Sequence, residues 1–161
     1  MPLIHYRLMD KIGVKLRKEK NMLDIDVVLD EGAKMPVKGH AEDAGFDLFT
    51  RNAFTIAPGV RKEIHTGVHM DIPRGYCGLI KSKSGLNRQG IQCEGVVDAG
   101  YTGEIVVFMY NHGNEVKTFE AGQKVTQILI APVPEVYLHE TDVLPEYERG
   151  NAGFGSTGKF G

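Results

Sequence analysis

Short apolar stretches separated by turn signals are the feature of this sequence that most limits its fold. Residues 23–29 largely alternate between apolar and polar side chains, and residues 105–110 form an apolar run with two distinguishable faces. Turn-forming Pro, Gly and Asn recur between such runs at intervals of roughly 8–15 residues, which is typical of β-barrels and jelly rolls. We therefore predict an all-β fold, a distorted β-barrel or jelly roll, with helix limited to a turn or two over residues 84–89.

Composition narrows the class of protein further. A chain of 161 residues fits one domain, and its longest apolar runs are about six residues, whereas a membrane span needs roughly 20. A net charge of −2 argues against nucleic-acid binding driven by bulk charge. The two cysteines, Cys77 and Cys93, cannot form a disulfide framework and fit a reducing compartment. We expect a cytoplasmic protein with no membrane or nucleic-acid partner.

The chain divides into three segments by composition. Residues 1–21 form a leader with six basic and two acidic side chains, which we expect to be flexible and which leaves room for a protein partner. Residues 22–147 carry the strand pattern and form the predicted β-barrel domain. Residues 148–161 are rich in glycine and too poor in apolar side chains to form core, so we expect a mobile tail that acts as a lid.

The tail has the composition of a lid that closes over a nucleotide. The guanidinium of Arg149 suits a phosphate, and Ser156 and Thr157 add hydroxyl groups among glycines whose N–H groups can approach an anion. The ring of Phe154 could stack on a planar base. A plain Gly/Ser linker is the alternative, although a linker does not require both an arginine and an aromatic ring.

Two further segments combine groups that suit a nucleotide. Residues 80–90 place Lys83, Ser84 and Gly85 together, which resembles a phosphate cradle without the spacing of a Walker loop; a solvated basic turn fits equally well. Residues 95–105 predict a β-hairpin whose tip carries Asp98 and Tyr101, a plausible nucleoside platform. Asp98 alone would also fit an ordinary turn residue.

Two groups of side chains could hold a metal ion. The acidic residues Glu42, Asp43 and Asp47 could support a hydrated cation, although a loop entering a strand is the usual structure for such a stretch. His65 and His69 are four residues apart on what we predict to be one strand, and therefore on one face. Metal-binding jelly rolls use such groups, but a site held by protein ligands is the less favoured interpretation.

The order of these segments is more specific than any one of them. AGFDLF, SKSGL, GVVDAGYTGEI, AGQKVTQILI and RGNAGFGSTG follow one another and resemble the five motifs of the trimeric dUTPase family, over the chain from about residue 23 to its end. The resemblance implies a jelly-roll barrel that forms a homotrimer with shared active sites. It also implies Mg²⁺-dependent hydrolysis of dUTP to dUMP and pyrophosphate, which keeps uracil out of DNA and supplies dUMP for thymidylate synthesis.

The resemblance also assigns roles to individual residues. Asp98 matches the carboxylate that activates the water attacking the α-phosphorus, and Tyr101 matches the ring that packs under the deoxyribose. Phe154 would stack on uracil, and Asp47 matches an acidic residue near the hydrated metal, reached through water. The remaining matched residues read the uracil edge (Gln92, Gly95 and Val97) or contact the phosphates (Lys83, Ser84, Gly85, Gln127, Arg149, Gly155, Ser156 and Thr157).

The sequence departs from the family pattern at a few positions. Ser82 and Lys83 stand where proline and arginine usually precede the motif serine, and lysine lacks the bidentate fork of arginine. Gln92 stands where an asparagine is common, and Gly100 where an acidic residue often precedes the tyrosine. None of these changes removes a group that the implied mechanism needs.

Two other functions compete with this one. A dCTP deaminase has a similar fold, but that family needs a general-base glutamate on the strand after the hairpin. Residues 105–110 are apolar there, and Glu104 comes too early. A binding protein that contacts a regulatory partner is the second alternative, and the intact Asp98, Tyr101 and lid argue against a purely non-catalytic role.

Overall fold

The computed structural model describes residues 23–148 and 150–151. These residues form a nearly all-β molecule with one four-residue helix, which confirms the predicted fold class and the short helix. The elements are β1 (Val27–Leu29), β2 (Phe46–Phe49), β3 (Phe54–Ile56), β4 (Arg61–His65), β5 (Val68–Met70), β6 (Tyr76–Lys81), α1 (Ser84–Asn87), β7 (Ile91–Val97), β8 (Val106–Asn111), β9 (Lys117–Phe119) and β10 (Lys124–Pro132). Across the described ranges, no helix has the length and apolar character that a bilayer crossing requires.

A curled six-stranded sheet in the order β2-β10-β6-β7-β8-β4 dominates the architecture. All of its strand pairs are antiparallel, and two small sheets, β1-β5 and β3-β9, complete the half-barrel. The nine-residue β10 lies between β2 and β6. This arrangement brings segments that are far apart in sequence, around residues 47, 81 and 127, to one place in the sheet.

The core follows the alternation read from the sequence. In and just before β8, Ile105, Val107 and Met109 are at most 2% exposed, whereas Phe108 between them is 43% exposed. Leu48 of β2 is fully buried among the same core side chains. One face of the curled sheet therefore packs inward, as expected for a half-barrel.

The predicted segment boundaries remain predictions. The leader, residues 1–21, and most of the predicted lid lie outside the described residues. After β10 ends at Pro132, residues 133–148 contain no strand or helix and carry large exposed apolar side chains, including Tyr137 and Leu138, which are 87% and 90% exposed.

His65 and His69 do not share one strand, so the prediction of a common face was wrong. His65 ends β4 and His69 lies in β5, because Gly67 between them adopts a φ of +65° that interrupts the extended backbone. Glu63, two residues before His65 in β4, is not a hydrogen-bonding partner of either histidine in the described structure. Among the residues described, no three His, Cys, Asp or Glu side chains cluster closely enough to hold a metal ion.

Candidate active site

One group of predicted site residues meets where β2, β10 and β6 lie side by side. Asp47 in β2 pairs with Gln127 in β10, and Gln127 pairs with Lys81 at the end of β6. The side-chain Nε2 of Gln127 donates to the carbonyl oxygen of Ser82 at 3.2 Å. The sheet register thus brings Asp47 and Gln127 together with the segment that leads into Lys83.

The carboxylate of Asp47 binds two lysines. Lys83 Nζ donates to Oδ1, and Lys124 Nζ lies 2.7 Å from Oδ2. Burial would raise the pKa of Asp47, but the hydrogen bonds and charges of Lys124 and Lys83 outweigh it and hold that pKa below its ordinary value. The pair of lysines and the ionised carboxylate form a compact charged centre that carries a net positive charge.

Lys124 is a member of this centre that sequence reasoning missed. It is three residues from Gln127, and in a regular strand an odd spacing places two side chains on opposite faces. A β-bulge shifts the register of β10 between Lys124 and Thr126, so that Lys124 pairs with Phe49 while Gln127 pairs with Asp47. Because Phe49 and Asp47 are two apart in β2, the bulge places both β10 side chains on the face of Asp47.

Ser82 fastens the start of the predicted phosphate loop to β7. Its hydroxyl accepts a hydrogen bond from Cys93 N at 2.7 Å and donates to Cys93 O at 3.1 Å. Lys83 then precedes α1, where Ser84 and Gly85 lie at the surface with open space around the Cα of Gly85. A serine at this position can therefore fix the loop through hydrogen bonds, where the family pattern has the rigid ring of proline.

A shallow cavity of about 230 Å³ opens beside this loop. Gln92 lines it and donates from Nε2 to Glu94 Oε1 at 2.8 Å. Cys93 is buried, and that burial raises the pKa of its thiol to about 11, so the thiol stays protonated and serves packing. The other lining residues are Lys81, Ser82 and Asn87.

A second group of predicted residues follows β7 along the sheet. Gly95 and Val97 pair with Ile80 and Gly78 of β6, and Asp98 comes directly after the strand with an exposed side chain. Tyr101 N donates to Asp98 O at 3.2 Å and closes a turn. The backbone groups that the resemblance assigned to the base edge therefore lie next to the predicted catalytic carboxylate.

The segment after β7 is longer than the turn of a tight β-hairpin. Strands β7 and β8 pair only through residues 91–93 and 109–111, and residues 98–105 form an eight-residue connection that we call the Asp98 loop. Tyr101 is half-exposed, and its hydroxyl donates to Glu104 O at 3.0 Å. Gly103 lies against the ring, since a Cβ at that residue would be 2.5 Å from the Tyr101 hydroxyl oxygen.

The two groups lie at opposite ends of the β6-β7 ladder. Val97 is opposite Gly78, whereas Lys83 is five residues beyond Gly78 along the chain. Asp98, one residue past Val97, falls opposite position 77, six residues from Lys83, so at an extended rise of about 3.3 Å per residue the two are roughly 20 Å apart along the ladder. One copy of the described chain therefore does not bring the predicted catalytic carboxylate to the predicted phosphate loop.

The remaining predicted site residues lie outside the described part of the chain. These are Arg149, Phe154, Gly155, Ser156 and Thr157. Their assignment to a lid therefore stays a prediction.

Comparison with known proteins gives one consistent result. The dUTPase family model matches residues 31–158. The deoxyuridine 5'-triphosphate nucleotidohydrolase of Clostridium tetani is 39% identical over 136 residues, which cover 82% of this chain and 94% of that protein. The enzyme of the same name from Alkaliphilus metalliredigens is 40% identical over 130 residues, which cover 78% and 90% of the two chains.

Solved structures agree with the sequence relatives. The dUTPase of Staphylococcus bacteriophage 80alpha with dUpNHpp superimposes with a TM-score of 0.80 at 27% identity, over 85% of this chain and 99% of that one. A variant dUTPase from phage phi11 of S. aureus, described as coordinating a structural Mg(II) ion, gives a TM-score of 0.71 at 25% identity, over 75% and 98%. This chain shares the fold of these structures and carries the five ordered motifs, and it belongs to the dUTPase family.

Proposed function

We propose that this protein hydrolyses dUTP to dUMP and pyrophosphate, and is therefore a dUTP diphosphatase. The observation that carries the proposal is the dUTPase match over residues 31–158, which spans the described charged centre and the Asp98 loop alike. The relatives described above are deoxyuridine 5'-triphosphate nucleotidohydrolases, and the alignment covers 94% of the Clostridium tetani enzyme. The product dUMP is the precursor that thymidylate synthesis requires, and removal of dUTP keeps uracil out of DNA.

Asp98 is the proposed general base. Its carboxylate is exposed directly after β7, so a water molecule can reach it and attack the α-phosphorus of a bound nucleotide. Tyr101 lies three residues further, with its hydroxyl held by Glu104 O, and so offers a fixed ring face for the deoxyribose. Backbone groups at Gly95 and Val97, with Gln92 nearby, would read the uracil edge.

The charged centre of Asp47, Lys83 and Lys124 is the proposed phosphate end. The triphosphate would compete with Asp47 for the two lysines, because phosphate oxygens and the carboxylate are both acceptors of charge-assisted hydrogen bonds. Lysine binds as a mobile point charge, so this exchange needs only side-chain rotation. Ser84, Gly85, Gln127 and, from the lid, Arg149, Gly155, Ser156 and Thr157 would complete the phosphate contacts, and Phe154 would cover the base.

The donor set fits a magnesium ion held mainly by the substrate. Mg²⁺ takes phosphate oxygens and waters more readily than a cage of side chains, and the described residues offer single carboxylates rather than a cluster. Asp47 would hold the ion indirectly, through water, once a lysine has turned to the phosphates. The ion would supply positive charge that stabilises the leaving pyrophosphate.

A complete site requires more than one copy of the chain. The roughly 20 Å between Asp98 and Lys83 along the β6-β7 ladder supports a homotrimer in which neighbouring copies contribute the two groups. The exposed apolar side chains of residues 133–148 support the same assembly, because such a surface is expected to be covered by a partner.

Release of pyrophosphate from dUTP, dTTP, dCTP and UTP tests this function. We expect fast release from dUTP alone, because a close backbone pocket excludes the 5-methyl group of thymine and the Tyr101 ring leaves no room for a 2′-hydroxyl. Asp98→Asn should still bind a non-hydrolysable dUTP analogue, with turnover reduced by roughly 10²–10⁴. Ammonia release from dCTP would instead identify a deaminase, and turnover of Asp98→Asn within threefold of wild type would reject Asp98 as the base.

A further inference from the structure

The Asp98 loop is fastened at its far end to the turn between β4 and β5. Thr66 Oγ1 donates to Ile105 O at 2.6 Å, and Ile105 N donates to Val68 O at 2.8 Å. Thr66 and Ile105 are buried, so these bonds are shielded from water. Neither bond involves a group that titrates between pH 4 and 10, so this part of the attachment does not depend on pH.

Glu104 adds a charged attachment beside them. Its Oε1 accepts from Gly67 N at 2.8 Å, and its Oε2 lies 2.8 Å from His65 Nδ1. Partial burial would raise the pKa of Glu104, but the hydrogen bonds from His65 and Gly67 outweigh it, and the pKa lies below its ordinary value. Because Glu104 O also accepts from the Tyr101 hydroxyl, this attachment extends to the ring of the proposed site.

His69 makes the remaining attachment, and its geometry selects the charged ring. Its Nδ1 lies 2.9 Å from Thr102 O and its Nε2 lies 3.3 Å from Asp30 Oδ1. A carbonyl and an ionised carboxylate can only accept, so both contacts are hydrogen bonds only when both ring nitrogens carry protons. A neutral ring keeps only one N–H. Because a carboxylate accepts more strongly than a carbonyl, that proton stays on Nε2 toward Asp30, and the lone pair of Nδ1 then faces Thr102 O, which breaks the contact with the loop.

The surroundings of His69 favour the imidazolium. The bond to the Thr102 carbonyl raises the pKa of His69 above the ordinary 6.5. Desolvation lowers this pKa, but the hydrogen bond and charge of Asp30 and the charge of Glu104 raise it further, so the net shift is upward. Asp30 is held in turn by Arg51, whose Nη1 lies 2.8 Å from Oδ2. On the paired strand β1 the residue opposite His69 is Val28, which carries no charge.

We propose that His69 is a positioning residue for dUTP hydrolysis, which as an imidazolium ties the Asp98 loop to Asp30 and releases it as the pH rises. The proposal rests on the proposed function, because the loop carries Asp98 and Tyr101. The contribution of His69 is complete below about pH 6.5, the ordinary value, and is lost as the pH rises through the higher folded value.

Two substitutions replace the titrating ring of His69 with an amide, and each keeps only one of the two His69 contacts. His69→Asn places an amide N–H near the position of Nδ1 and can retain the Thr102 bond, whereas His69→Gln reaches the position of Nε2 and retains only Asp30. Hydrogen exchange of residues 98–105, corrected for its intrinsic pH dependence, and kcat and KM for dUTP are measured from pH 6 to 9.

For the wild type we expect loop exchange to rise and kcat to fall roughly three- to tenfold toward high pH, with KM changing less, because a displaced base slows chemistry. For His69→Asn, loop exchange and kcat should not change with pH and should equal the wild-type values at low pH. For His69→Gln, they should also not change with pH, but should equal the wild-type values at high pH. Asp30→Asn should move the wild-type transition to lower pH, because the imidazolium loses its anionic partner. His112→Asn, an exposed histidine at the other end of β8, is the matched control and should keep the wild-type profile.

The same pH dependence in the wild type and both His69 variants would overturn the proposal. If His69→Gln does not fold, as judged by circular dichroism, His69→Asn and Asp30→Asn still decide it. A wild type that does not hydrolyse dUTP would refute the proposed function instead. The exchange of residues 98–105 would then decide by itself whether His69 holds the loop.

Discussion

Single residues in the Asp98 loop have steric roles that their type does not reveal. Gly103 has no unusual backbone conformation, yet a Cβ there would lie 2.5 Å from the hydroxyl oxygen of Tyr101 and 2.6 Å from the ring carbon that carries it. The glycine is thus required by the position of the ring rather than by the turn. Tyr101 is only half-exposed despite lying in a surface loop, because the chain passes directly beneath it.

We expect Gly103→Ala to displace the Tyr101 ring and break its bond to Glu104 O. The KM for dUTP should rise about fivefold, equivalent to roughly 1 kcal/mol, with little change in melting temperature because the ring is outside the core. Tyr101→Phe is the matched control, because it removes the same hydrogen bond but keeps the ring in place. Equal KM values for Gly103→Ala and wild type would show that the ring position does not matter for binding.

At the scale of elements, strands were predictable and their irregularities were not. The burial of alternate residues in β8 follows from the two-residue period of a strand, which the sequence displays directly. The bulge in β10 and the eight-residue Asp98 loop depend on pairing between distant segments, so no local sequence pattern predicts them. The same holds for the site: the motif order indicated Asp47 and Lys83, but their joint pairing with Lys124 depends on the register of β2 and β10.

Asp47→Asn tests the importance of that pairing for the sheet. We expect the free energy of unfolding at pH 7 to fall by about 1–3 kcal/mol, because a buried carboxylate loses two charged partners. The folded pKa of Asp47 lies below its ordinary value of 3.8. In the wild type the stability that the ionised carboxylate contributes is therefore present above pH 3.8 and is lost as the pH falls through the folded pKa. Asp47→Asn should not show this loss of stability in acid.

Denaturant unfolding followed by circular dichroism, at one fixed protein concentration, measures both effects. Glu115→Gln removes one partner of the exposed Lys117 pair and should change stability by less than about 0.5 kcal/mol. Asp47→Asn and Glu115→Gln with equal unfolding curves would mean that the charged centre contributes nothing to the fold.

For the whole molecule, the distance between the two halves of the proposed site supports the proposal that assembly is part of catalysis. Asp98 and Lys83 are roughly 20 Å apart along one ladder, so in the proposed trimer the nucleotide lies between copies of the chain. Residues 133–148 leave the strands with apolar side chains exposed, which suits a segment that packs on a neighbour.

Mixed assemblies test this sharing directly. Asp98→Asn chains and chains that lack residues 149–161 should each be nearly inactive, but when they are unfolded, mixed equally and refolded, activity should return. Random assembly makes three-quarters of trimers mixed, each with one site that combines an intact Asp98 with an intact tail, so recovery should approach roughly a quarter of wild type. Native mass spectrometry verifies mixing, and mixed trimers without activity would place Asp98 and the tail of one chain in the same site.

The bulge in β10 has a consequence for how this gene tolerates insertions and deletions. Loss of the Val125 codon would leave the lysine two residues before the glutamine, so that a regular strand without the bulge would still place both side chains on one face of the sheet. Val125 itself is fully buried, so the deletion would remove a core side chain while the two polar side chains kept their common face. A substitution scan, which preserves length, cannot separate these two roles of the segment.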